Sequence, residues 1–233
     1  MRPGPAKIVA CPQCKALAKY GTLISGNTFG AKVWTDGLQI APMLPCPPEV
    51  AKCNECSHVF WLKNANSVGE LSWAEKDRAP ADWCKAEYLK EPMEADYYTA
   101  LAGGLAQTAE QERTARVLAW WKSNEPLREQ NCPEHSWSDP DARQANLESL
   151  LPFLNDNDES DHIMKAEVLR ELGRFDEAMG TLVTASSTNY SPVVEQLQRL
   201  CSERDVFVRR LDMERPREKR TISKRKPPWW KFW

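Results

Sequence analysis

The chain has 233 residues, 27% of them charged and 42% hydrophobic, which suits one large or two small folded domains and excludes a low-complexity chain. No apolar run approaches the ~20 residues that cross a bilayer, and the start, MRPGPAKIVACPQC, has no apolar secretory stretch, so a reducing cytoplasmic setting is expected. The net charge of −2 hides an asymmetry: residues 209–233 carry ten Lys/Arg and three Asp/Glu, a net of +7, against −9 for the other 208.

Residues 1–65 are rich in turns. KIVA, ALAKYGTLI, FGAKVW and HVFWL read as short strands, separated by SGN, TDG and PMLPCPP. Asp36-Gly37 is a tight-turn pair, because Gly accepts a positive φ. The prolines at 42, 45, 47 and 48 exclude a helix or a central strand there.

The same stretch holds CPQC at 11–14 and CNEC at 53–56, separated by 38 residues. Two C-x-x-C turns on facing hairpins bring four thiolates into a tetrahedron, which suits Zn²⁺. We therefore expect Cys11, Cys14, Cys53 and Cys56 to share one metal. The gap is longer than the usual ~15–20 residues, but it reads as the strands and turns that a ribbon needs. A redox pair lacks its strand-then-helix setting, disulfides need export, and iron in a rubredoxin-type site stays open beside zinc. A closed four-thiolate site has no open position, so the metal is expected to be structural. Its removal is expected to unfold 1–65 and leave the helices. His58 is read as a surface neighbour of the site and Cys46 as a substitute ligand at most. Cys84, Cys132 and Cys201 are read as packing residues.

Residues 66–92 read as a connector, with Trp73 and Trp83 expected to dock on the fold. From 93 to 211 the period is helical. Tyr97, Leu101 and Leu105 fall on one face, as do Val117, Leu118 and Trp121. ALAGGLAQ places a Gly pair inside a helix. About six helices with short loops predict an antiparallel array. The expected fold class is α+β: a β-rich ribbon, then an all-α helical domain.

HIMKAEVLRELGRFDEAMGTLVTA resembles the tetratricopeptide repeat over 159–185. Ala166 and Leu169 match the tightly packed first helix, Gly173 and Phe175 the turn, and Ala178, Leu182 and Ala185 the second helix. Lys165 departs from the pattern, where an apolar residue is usual. The resemblance implies stacked helix pairs that bind a protein partner. The ribbon and helices together, over 8–211, resemble a group of uncharacterised bacterial proteins that pair a long-gap zinc ribbon with a helical half. That resemblance implies no activity. SGNTFGAKVWTDG offers Asn27, Trp34 and Asp36 as candidates for a ribbon-surface site; turn chemistry and one core Trp is the reading we prefer.

The segment 212–233 ends in KRTISKRKPPWWKFW. Basic charge beside Trp229, Trp230, Phe232 and Trp233 suits weak contact with an anionic membrane or nucleic acid. Its Pro content and like charges predict disorder in isolation. No glycine-rich phosphate loop, H-E-x-x-H or G-x-S-x-G occurs, and the acidic residues read as solvated helix faces. No small-molecule substrate and no catalytic residue is expected. The reading is a non-enzymatic zinc-binding interaction protein, with a nucleic-acid-associated ribbon as the alternative.

Overall fold

The computed structural model describes residues 1–129, 137–184 and 191–212, without the side chains of 75, 76 and 129. Among these residues lie ten strands and eight α-helices, so the fold is mixed α+β. The strands are β1 (Arg2–Pro3), β2 (Ala6–Ala10), β3 (Leu17–Tyr20), β4 (Leu23–Ser25), β5 (Lys32–Val33), β6 (Gln39–Ile40), β7 (Val50–Lys52), β8 (Val59–Trp61), β9 (Asn66–Leu71) and β10 (Glu87–Tyr88). The helices are α1 (Ala81–Lys85), α2 (Glu94–Ala102), α3 (Ala109–Ser123), α4 (Glu125–Glu129), α5 (Pro140–Leu150), α6 (Glu159–Glu171), α7 (Phe175–Thr184) and α8 (Ser191–Ser202). None of the described helices is long and apolar enough to cross a membrane.

The described residues form two compact units: 1–31 with 41–122, and 32–40 with those from 123 to 212. Division at the expected residue 65 would cut the first unit, and the hairpin 32–40 leaves the ribbon for the helices.

In the first unit a four-stranded sheet runs in the order β10-β3-β2-β9. Strand β2 is central, antiparallel to both β3 and β9, and its Ile8, Val9 and Ala10 are buried. The segment 66–92, expected as a connector, supplies the sheet's two outer strands. Gly69 lets β9 lie flat under Trp83: a Cβ there would meet the Trp83 ring at 2.0 Å. A second hairpin, β7–β8, packs Val50 and Trp61 against Tyr97 of α2 and Ala115 and Ala119 of α3. Alanines four apart let α3 approach closely. Trp61 Nε1 donates to the Leu105 carbonyl at 2.8 Å, which satisfies the polar edge of a ring that is otherwise buried. The Gly pair ends α2 rather than lying inside it. Gly104 has φ +85°, Gly104 N–H donates to Leu101 and Leu105 N–H to Ala100, the two bonds of a Schellman closure.

In the second unit Asp139 and Asp158 cap α5 and α6 through backbone N–H groups. Gly173, at φ +75°, closes α6 with Gly173 N–H on Arg170 and Arg174 N–H on Leu169. Ala166, Leu169, Phe175, Ala178 and Leu182 join Val193, Leu197 and Leu200 of α8 in one core. Ala185 lies outside the described residues. Lys165, the departure from the apolar pattern, bonds Asp156 at 2.6 Å. Val33 of the hairpin belongs to this same core.

The acidic residues are not all on solvated faces. Asp36, Glu167 and Glu171 are buried with Arg128, Arg143 and Arg170. Arg170 holds Glu167 with two bonds of 2.7 Å and also donates to the carbonyls of Asp205 and Phe207. Arg128 pairs with Asp36, and Arg143 with Glu171. Asn124 donates to Asp36 and to Glu171, both at 3.1 Å. Three carboxylates face three guanidinium groups, so the network carries no net charge when all six are ionised. That balance allows it inside a core, where a lone charge would cost several kcal/mol.

Candidate metal centre

Each cysteine pair sits in the turn of a hairpin. Strand β2 ends at Ala10 and β7 at Lys52, one residue before Cys11 and Cys53. Ala10 pairs with Leu17 and Lys52 with Val59, so the two turns, CPQCKA and CNECSH, have the same length. Their backbones match bond for bond. Cys11 N–H donates to Ala16 and Lys15 N–H to Cys11; Cys53 N–H donates to His58 and Ser57 N–H to Cys53. Lys15 and Ser57, each one residue beyond the second cysteine, hold φ +64° and +58°. Left-handed backbone at a non-glycine residue costs about 1–2 kcal/mol, so the turn geometry is held by something that repays it.

The four sulfurs lie within 4.8 Å of one another. Cys11 and Cys56 are 3.8 Å apart, and Cys14 and Cys53 3.6 Å, with one sulfur of each pair from each turn. A tetrahedron with metal–sulfur bonds of ~2.3 Å has edges of ~3.8 Å. The donor set therefore fits a metal ion and could hold one. Cys11 and Cys53 are buried beside Ala51 and Phe60, while Cys14 and Cys56 are exposed.

The thiols do not ionise as four independent groups. Burial raises Cys11. Burial opposes ionisation of Cys53 as well, but the N–H groups of Cys56 and Glu55 and hydrogen bonds with Cys14 and Cys56 outweigh it, bringing Cys53 down to about 7. At Cys56 the His58 N–H favours the thiolate, yet burial and the other three cysteines push it up to about 12. One thiolate forms readily and the last only against its neighbours. A bound cation reverses that repulsion and releases protons.

The spacing between the turns is set by a segment that sequence reasoning passed over. Strand β10 runs parallel to β3 of the first hairpin, and Leu89 N–H bonds Lys19. On its other side Lys52 N–H bonds Lys90, and Asn54 Nδ2 reaches the Tyr88 carbonyl at 3.0 Å and Glu87 at 3.1 Å. Residues 87–90 thus stitch the two cysteine hairpins together. No turn residue or long apolar run signals this role. Asp96 adds a second tie: it bonds Lys52 at 2.8 Å and caps α2 through Met93 N–H at 2.9 Å. Burial opposes its charge, but the Lys52 hydrogen bond holds its carboxyl below the usual range.

The other candidates separate. His58 stacks on Phe60 with centroids 6.0 Å apart. Cys46 is exposed, Cys84 half-buried and Cys201 buried among the helices, and none joins the cluster. Cys132 lies outside the described residues. Asn27 accepts from Phe29 N–H, a local turn. Asp36 is not on a ribbon surface, because its side chain is fully buried in the second unit. The basic, aromatic end, 213–233, lies outside the described residues. No family model, no curated protein and no solved structure matches this chain.

Proposed function

We propose that the protein is a non-enzymatic adaptor: a ribbon folded around one structural zinc ion, joined to a tetratricopeptide-like helical unit that binds a protein partner. The metal reading is carried by the two matched turns, which bring Cys11, Cys14, Cys53 and Cys56 to tetrahedral spacing. Zinc is favoured because an all-thiolate tetrahedron needs no redox change or open position. Such a site supplies folding free energy rather than catalysis. The adaptor reading is supported by the packing positions shared with the repeat, Ala166 and Ala178 above all. The basic tail favours a second reading, association with nucleic acid.

Metal analysis of the purified chain tests the first reading. One zinc per chain is expected, lost in Cys11→Ser and Cys53→Ser, with a lower thermal midpoint after chelation. A metal-free chain whose midpoint does not move in either variant sinks it, and iron in the same stoichiometry would correct the metal. Nucleic-acid binding that falls steeply with salt and vanishes on deletion of 213–233 would favour the second reading.

A further inference from the structure

The 38 residues between the cysteine pairs are anchored at their middle. Hairpin β5–β6 turns at Trp34–Gly37, where Gly37, at φ +85°, donates to the Trp34 carbonyl and Leu38 N–H bonds Asp36 Oδ1 at 3.2 Å. The hairpin is fixed within the second unit on three sides. Thr35 N–H donates to Arg209, Leu211 N–H to Val33, and Arg209 N–H to Thr35 Oγ1. Val33 fills the helical core. Asp36 completes the buried network through Asn124 and Arg128. The chain enters and leaves this hairpin through arms that belong to the first unit, and Asn27 N–H bonds the Met43 carbonyl across those arms at 3.2 Å.

We infer that hairpin Lys32–Ile40 makes the stability of the helical unit depend on the cysteine site. The inference rests on that site holding a metal. With the first unit folded, residues 41–122 return the chain from the hairpin to Ser123 along a fixed path. When the metal is removed and that unit loosens, the same residues become a long free loop. Closing it to seat Asp36 against Arg128 then costs chain entropy, which lowers the occupancy of the seated hairpin about tenfold. An empty seat takes Asp36 from Arg128 and Asn124 and opens the core at Val33. Metal loss is therefore felt in α6 and α8, which contain no metal ligand.

Amide hydrogen exchange on the full chain, with one equivalent of zinc and after chelation, tests this. Exchange in α6 (Glu159–Glu171) and α8 (Ser191–Ser202) should quicken by roughly tenfold on chelation. A variant with flexible Gly/Ser insertions of about ten residues after Gly30 and after Ile40 keeps the hairpin and its partners but slackens both arms. Its α6 and α8 amides should exchange faster than wild type when metal-loaded and respond less than half as much to chelation. Gly30 is a tolerant site, with open space around it. Metal counted in the same samples separates the two readings. A chain that never binds metal overturns both. A chain that binds one metal, and whose β2 and β7 amides quicken on chelation while α6 and α8 do not, overturns the coupling alone.

Discussion

At the scale of residues, Asp36, Glu167 and Glu171 show how poorly charge alone reports exposure. On a helix, Glu167, Arg170 and Glu171 follow the i, i+3, i+4 spacing of a solvated charged face, yet all three are buried. Nothing in the sequence distinguishes them, because their partners, Asp36, Asn124, Arg128 and Arg143, come from distant segments. The consequence for pH runs against habit. Burial raises Glu171 to about 7; Arg143 opposes the rise, and Glu167 and Asp36 add to it. Burial raises Asp36 too, against Arg128 and Asn124. A folded-state value above the unfolded one means that protonation favours the fold. The contribution is fully present below the ordinary carboxylate range and fades as pH rises through about 7. Urea midpoints of the full chain, measured with a chelator present throughout, should therefore rise on going from about pH 8 to about pH 5.5, and Glu171→Gln should flatten that slope. The same slope in wild type and in Glu171→Gln would show the network to be held as ion pairs throughout.

At the scale of elements, the short strands are sorted by their neighbours more than by their own pattern. KIVA and HVFWL are legible because Ile8, Val9, Phe60 and Trp61 are buried β-formers. NSVGEL was not, because β9 is mostly exposed and carries a Gly where strands disfavour one. Its strand state comes from pairing with β2 and from Trp83 lying over Gly69. That contact gives a direct check. Gly69→Ala forces the Trp83 ring or the strand to move and should cost about 1–3 kcal/mol, as overpacking does. Combined with Trp83→Ala the two losses should fall well short of additive, since the second removes the clash made by the first. Additive losses would place the strain elsewhere. The cysteine turns lie between these extremes. The cysteine pairing was readable from C-x-x-C, whereas the left-handed Lys15 and Ser57 were not, because glycine is the usual signal for that backbone.

At the scale of the whole molecule, chain order misleads about what folds with what. The change from turn-rich to helical sequence near residue 92 is real, but it is not where the compact units divide. Helix α3 packs Ala115 and Ala119 on Val50 and Trp61 of the second cysteine hairpin, so most of it belongs with the ribbon. The hairpin 32–40 belongs with the helices that begin ninety residues later. Periodicity reports which face of an element is apolar; it does not report which distant element covers that face. A fragment cut at the apparent boundary, residues 93–211, therefore lacks both the cover for α3 and the Asp36 and Val33 that finish the helical core. It retains Arg128 with no buried carboxylate from the hairpin, and truncating one partner of a buried pair costs about 3–5 kcal/mol, a large share of the ~5–15 kcal/mol of an ordinary domain. Circular dichroism should show this fragment with a broad, low-temperature transition, and 1–212 with a cooperative one at clearly higher temperature. A sharp transition of 93–211 at the midpoint of 1–212 would mean that the helices need neither the hairpin nor the ribbon.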